Sequence, residues 1–248
     1  MLTRIDLNCD MGEGFDTDEE IMPFISSANI ACGGHAGDEA TIRKTIALAI
    51  KHKVAIGAHP SYPDREGFGR REMKLPLEEI FELMIEQISL IKQIAEDMGA
   101  TLHHVKPHGA LYNAAAKNPI LSQTIAKAIN VIDKNLLVYG LPNSFSEKAA
   151  IDSGLKFYGE FFSDRTYTDD GSLTPRTEKN ALVNSPDAAL NQVLQVIIEG
   201  TVKSISGKII PIKTDTICIH GDGVHAVEFA KVIREGLEKN QINIESAK

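Results

Sequence analysis

The stretch "HVKPHGALYN", residues 104–113, puts two histidines and a lysine into a run that otherwise has the pattern of a strand end. Side chains alternate along a strand, so His104, Lys106 and His108 share one face while Val105 and Pro107 point the other way. Histidines move protons near neutral pH and a lysine steadies developing negative charge, so such a face suits acid–base chemistry. A lone histidine at a strand end is more often a hydrogen-bonded structural residue. The functional reading therefore depends on whether other strands bring similar groups to the same place.

The elements that would position them follow from the alternation of short β-branched runs with longer helical ones. Strand patterns fall at 4–10, 27–34, 53–59, 101–108, 135–140, 155–162 and 215–222, and helical patterns near 17–25, 38–52, 76–99, 118–133, 143–153, 186–203 and 223–240. The clearest helix, "PLEEIFELMIEQISLIKQIAEDMG", has Pro76 at its start, acidic residues in its first turn and Gly99 at its end. Strand–helix alternation of this kind implies a parallel sheet. With no Pro/Gly/Ser-rich linker, the pattern predicts an α/β fold, a closed or nearly closed (β/α) barrel of about seven parallel strands forming a single domain over residues 1–248. An open doubly wound sheet is the alternative. "NALVNSP" (180–186) is read as a short extra strand.

In phase, the strands agree. Asp6, Asn8 and Asp10 oppose Ile5, Leu7 and Cys9; Ala55, Gly57 and His59 oppose Val54, Ile56 and Ala58; Asn29, Ala31, Gly33 and His35 oppose Ile30 and Cys32. On the last strand Thr216, Cys218, His220 and Asp222 oppose Ile217 and Ile219. In a parallel barrel the apolar face packs on helices, and catalytic groups sit at the C-terminal strand ends. Asp10, His35, His59, Lys106, His108, His220 and Asp222 all fall at such ends on the inward face, which predicts one pocket. His52, His103 and His225 lack this phase or lie on helices, and Asp6 is deep enough to be a buried structural carboxylate.

Three loops add to the pocket. "DMGEGFDTDEE" (10–20) has Gly12 and Gly14 on either side of Glu13, which can reach the pocket. "PSYPDREGFGRREM" (60–73) puts Arg65, Arg70 and Arg71 directly after His59, where guanidinium groups could clamp an anionic substrate. A second polar loop, "FFSDRTYTDDGSLTPR" (161–176), offers Asp164 and Arg165. No G-x-x-x-x-G-K-[ST] occurs, and "SGKII" (206–210) fails at Ile209, so any nucleotide must be held by another kind of site or another chain.

Composition excludes several classes. A net charge of −8 argues against a nucleic-acid or anionic-membrane partner. The beginning "MLTRIDLNCD" has no signal-peptide pattern, and no apolar run is long enough to span a bilayer, so a cytoplasmic protein is expected. Cys9, Cys32 and Cys218 have no CxxC spacing and are read as buried packing residues.

Together, "DLNCDMGEGF", "ANIACGGHAGD", "AIGAHPSYPDREGFGRR", "HVKPHGALYN", "FFSDRTYTDDGSLTPR" and "DTICIHGD" closely resemble the LamB/YcsF family. The resemblance runs through nearly the whole chain, in order; only the segment after about residue 225 carries little of the pattern. It implies an irregular (β/α) barrel of the glycoside hydrolase/deacetylase type and an ATP-dependent hydrolytic opening of the 5-oxo-L-proline lactam, performed together with subunits B and C. Under it, Asp10, His59, His108, His220 and Asp222 are the expected catalytic residues, and Asn8, Glu13, His35, Arg70 and Lys106 the expected substrate-binding ones. ATP enters as co-substrate, bound here or by one of the partners, and association between copies of the chain is left open. No metal is assigned. The alternatives are a metal-dependent deacetylase using Asp10, His59 and His108, and a non-catalytic protein that binds the lactam. For Lys106 two roles are open: facing the lactam oxygen, or pairing with an interior carboxylate such as Asp6 or Asp10.

Overall fold

The computed structural model describes residues 4–221 and 225–248. Each β-branched run became a strand: β1 (Arg4–Met11), β2 (Ser27–Ala31), β3 (Ala55–His59), β4 (Leu102–Val105), β5 (Leu137–Gly140), β6 (Lys156–Phe162) and, after a short antiparallel hairpin of β7 (Thr201–Lys203) and β8 (Ile209–Pro211), β9 (Thr216–Ile219). β1 through β6 pair in sequence order, β6 pairs with β9, and β9 returns to β1, all in parallel. The result is a closed seven-stranded barrel. β10 (Asn243–Ile244) adds to the entry end of β1 at Arg4 and Ile5.

Helices wrap the outside: α1 (Asp18–Ile21), α2 (Glu39–His52), α3 (Leu77–Asp97), α4 (Gly109–Lys117), α5 (Pro119–Ile132), α6 (Phe145–Asp152), α7 (Pro186–Glu199) and α8 (Ala226–Lys239). Local chemistry sets their ends. Asp38 caps α2 by accepting from the Thr41 N–H at 2.8 Å, Asn118 caps α5 with Pro119 in its first turn, and α7 stops at Gly200 with φ 66°. α3 buries Ile80, Met84, Ile88, Ile91, Ile94 and Ala95, the three-and-four spacing of one helix face. Among the described residues no helix is long and apolar enough to cross a membrane.

Four details differ from the sequence reading. α4 was not separated from the strand end before it; the 186–203 segment stops at Gly200 and continues as a hairpin strand; and 180–186 makes only a single bridge, Arg165 to Leu182. The fourth is that β2, β4 and β9 end early, so His35, Lys106, His108 and His220 lie just beyond strand ends. Phase survives because backbone pairing continues: Lys106 N–H donates to Ala58 O at 3.0 Å and His108 N–H to Pro60 O at 2.8 Å.

Barrel interiors are ordinarily apolar, and this one is polar along its axis. Asp6 accepts from Ser26 and Ser27 at 2.7 Å each and from Thr216 at 2.6 Å, while Asn8 Nδ2 donates to Thr216 Oγ1 at 2.7 Å. Asn29 Nδ2 donates to Asn8 Oδ1 and to Asp10 Oδ1, both at 2.8 Å, and its own Oδ1 accepts from His104 Nε2 at 2.8 Å. Each of these buried polar groups thus finds a partner, and the column ends at Asp10. Gly57 makes room for it: a Cβ there would lie 2.1 Å from His104 Nε2. Gly57→Ala is therefore expected to push His104 off Asn29 and cost about 1–3 kcal/mol of stability. Denaturant titration of the purified variant checks this, and wild-type stability would show that His104 has space to spare.

Candidate active site

At the C-terminal end of the barrel the strand ends and loops enclose a pocket of about 420 Å³. Its floor is the end of the polar column. Asp10 Oδ1 accepts from Lys106 Nζ at 2.8 Å, and Asp10 Oδ2 lies 3.3 Å from His59 Nε2. Lys106 also stands 2.7 Å from Glu160 Oε1, an ion-pair contact without hydrogen-bond alignment, and donates to Asn8 Oδ1 at 3.3 Å. Lys106 is 2 % exposed and Glu160 fully buried, so these charges are held by one another rather than by water. Burial opposes ionisation of Asp10, but His59 and Lys106 outweigh it and hold its carboxyl well below the usual range. Burial likewise works against the Lys106 ammonium, and Asp10, Cys218 and Glu160 overcome it, raising its pKa well above the ordinary lysine value.

Beside the floor stand three histidines. His59 Nδ1 donates to Lys106 O at 2.7 Å, His108 Nε2 donates to Phe68 O at 2.9 Å, and the two remaining nitrogens, His59 Nε2 and His108 Nδ1, face each other at 2.9 Å. His35 stacks flat on His108 at 3.8 Å, with Nδ1 2.9 Å from Ser61 Oγ and Nε2 3.1 Å from Glu13 Oε1. Gly12 and Gly14, with φ of 71° and 91°, turn the chain on either side of Glu13 and bring its carboxylate there. Burial pushes His35 down to about 3, and burial followed by the neighbouring His59 pushes His108 well below the usual range, so both are free bases at neutral pH. Among the described residues, Glu13, His35, His59 and His108 form one group with metal-ligand spacing, and Asp10, Cys218 and His220 another.

On the β9 side of Asp10, the end of β9 meets the loop after β6. His220 Nδ1 donates to Asp164 at 2.8 Å, leaving Nε2 to face Arg176 Nη2 at 3.2 Å, and the imidazole lies over Phe162. This is an acid–base pair in which the carboxylate fixes the tautomer. Of the loop arginines, Arg70 lines the pocket; Arg65 instead ties Gly33 O and Gly37 O, and Arg71 pairs with Asp64. Arg165 also lines the pocket, but donates to Ala181 O and Thr174 O. Asp222 lies outside the described residues.

The structure thus gathers Asp10, Glu13, His59, Lys106, His108 and His220 around one space, with His35 behind them and Asn8 beneath. Lys106 takes Asp10, and not Asp6, as its carboxylate. Glu160 was missed, although its phase with Tyr158 and Phe162 on β6 marks it as inward-facing. Tyr112, which meets Glu160 inside the barrel and also lines the pocket, sits on the unforeseen α4. Arg176 closes the second polar loop without any periodic signal.

The pattern of the LamB/YcsF family matches residues 5–248. The chain belongs to the LamB/YcsF family. The match includes the segment after residue 225 that had looked unmarked. Among LamB/YcsF relatives, a Bacillus cereus (strain Q1) protein named as the A subunit of 5-oxoprolinase is 49% identical over 249 residues, covering 98% of both chains. A Tolumonas auensis protein of the same name is 47% identical over 250 residues, covering 99% of this chain and all of its own. The crystal structure of a Thermus thermophilus lactam utilization protein superposes with a TM-score of 0.94 at 38% identity, covering 98% of this chain and 100% of that one.

Proposed function

We propose that this chain is the A subunit of an ATP-dependent 5-oxoprolinase, and that its pocket opens the 5-oxo-L-proline lactam to L-glutamate with two partner subunits, B and C. The observation that carries the reading is a buried carboxylate–ammonium pair, Asp10 and Lys106, beside an Asp164–His220 pair at one pocket. Its support from outside the chain is the name carried by relatives nearly half identical over the full length.

A lactam carbonyl is a poor electrophile. Transfer of the terminal phosphoryl group of ATP to the lactam oxygen makes the ring carbon attackable; with no G-x-x-x-x-G-K-[ST] loop here, the nucleotide is held by another kind of site or by a partner subunit. In this pocket, Asp10 takes a proton from the water that adds to the ring carbon. Lys106 faces the oxygen on which negative charge develops. The C–N bond then breaks, its electron pair going to nitrogen, which takes by way of His220 the proton that Asp10 accepted, while the added hydroxyl loses its proton and becomes the carbonyl of an open-chain acyl phosphate. A second water attacks its acyl carbon and expels phosphate.

Arg176, at the lip beside His220, binds the substrate carboxylate. Arg176→Gln is expected to raise KM about tenfold or more, the scale of one charge-assisted hydrogen bond, with little change in kcat. Equal losses in kcat and kcat/KM would instead place Arg176 in the transition state. The route itself is tested with 5-oxo-L-proline carrying heavy oxygen at the lactam carbonyl. Label is expected in the released phosphate; label kept wholly in glutamate would rule out departure of phosphate with the lactam oxygen.

A further inference from the structure

We propose that His59, His108 and Glu13 hold a divalent transition-metal ion, with His35 fixing the Glu13 carboxylate from outside the ligand set. The inference adds to the lactam reading an ion which that reading does not require, and it stands on the geometry of the cluster.

Backbone carbonyl oxygens only accept hydrogen bonds, so the contacts to Lys106 O and Phe68 O put the hydrogens on His59 Nδ1 and His108 Nε2. A neutral imidazole has one N–H, which leaves lone pairs on His59 Nε2 and His108 Nδ1, and these face each other at 2.9 Å. Two facing lone pairs need a cation, a shared proton in the metal-free chain or a metal ion that displaces it. Glu13 Oε1 closes the third side, 3.4 Å from His108 Nδ1 and 3.9 Å from His59 Nε2.

Bonds of about 2.0–2.1 Å in a tetrahedral shell separate neighbouring ligand atoms by roughly 3.3 Å, and the three spacings bracket that value. Ligating imidazoles characteristically donate their outer N–H to a carbonyl or carboxylate, as both do here. His35 stacks parallel to His108 with 1° between the planes, so its in-plane lone pair cannot converge with that of His108; it lies 3.1 Å from Glu13 Oε1 and braces the carboxylate.

Two imidazoles and a carboxylate select zinc or a neighbouring transition ion over magnesium or calcium, which take oxygen ligands. Three protein ligands leave a position for water, as in catalytic sites of this donor set. Bound there, the ion would act as a Lewis acid on water or on a carbonyl oxygen beside Asp10.

The test uses untagged full-length chain stripped with chelator, titrated with Zn2+ against a chromophoric competitor, and with Co2+ read by its visible absorption. One ion per chain is expected, with a Co2+ spectrum of low coordination number. His59→Gln and His108→Gln, checked for folding by circular dichroism, are expected to weaken binding about a thousandfold or more, since each removes a ligand, and His35→Ala by about 10–100-fold. His225→Ala, on an exposed histidine, serves as the control. Failure of the wild-type chain to bind an ion stoichiometrically, or binding indifferent to His59 and His108, overturns the site and makes the 2.9 Å contact a shared proton. Glutamate release by the metal-free complex in the same preparations would sink only the ion's catalytic part, while binding without release would sink only the lactam reading.

Discussion

Lys106→Met is expected to lower both the stability of the barrel and the turnover of the lactam, and by separable amounts. The ammonium is 2 % exposed and stands within 2.8 Å of Asp10 and 2.7 Å of Glu160. Its removal strands two buried carboxylates, at a cost of about 3–5 kcal/mol. In a chain of this size that corresponds to a fall in Tm of roughly 6–20 °C. Turnover is expected to fall about 100-fold or more beyond any loss of folded protein, the scale of one electrostatic donor. Adding Glu160→Gln to Lys106→Met removes one stranded charge and should restore part of the Tm without restoring turnover. Thermal melts and single-turnover kinetics on the same preparations decide. A Lys106→Met protein of undiminished Tm denies the ion pairs their structural role, and one that is destabilised yet proportionately active denies the charge its catalytic role.

Asp10→Asn is expected to do the reverse: nearly full stability with turnover reduced by about 10²–10⁴-fold, the range for loss of a positioned general base. The amide oxygen can still accept from Lys106 and Asn29, and the amide nitrogen can donate to His59 Nε2, so each neighbour of Asp10 keeps a partner. Lys106 also keeps Glu160. What the substitution removes is the negative charge and the basic oxygen. The loss should fall on kcat with KM little changed, because the carboxylate of the substrate is held at the lip. Turnover within about threefold of wild type would remove Asp10 from the chemistry and move the base to Glu13 or His220, since a positioned base contributes roughly 10²-fold at the least.

The parallel barrel was legible because strand patterns alternate with helical ones, and period-two alternation on β1, β3 and β9 then marks the face that turns inward. The same phase put Asp10, His59, Lys106 and His108 on one side even though β4 ends before Lys106, since a residue's face is inherited along an extended chain. Glu160 was missed because its segment, "LKFYGEFF", looks like an aromatic strand in which one acid could be a solvent-facing residue; its phase marks the inward face, and closure of β6 onto β9 buries it against Lys106. Arg176 and Asp164 come from a loop, where no period constrains direction, so the partners that Asp164 and Arg176 give the strand-end His220 were not readable. The split roles of the three loop arginines were likewise not readable: Arg65 and Arg71 are spent on loop structure while Arg70 lines the pocket, a difference set by tertiary partners that share no local pattern.

The most direct measurement is ATP-dependent release of glutamate from 5-oxo-L-proline by three mixtures: this chain alone, partner subunits B and C without it, and all three together. Release is expected only from the full mixture, and is expected to collapse when the full mixture is rebuilt with Asp10→Asn. Release by B and C alone, or undiminished release with the Asp10→Asn chain, would contradict the assignment of lactam opening to this pocket.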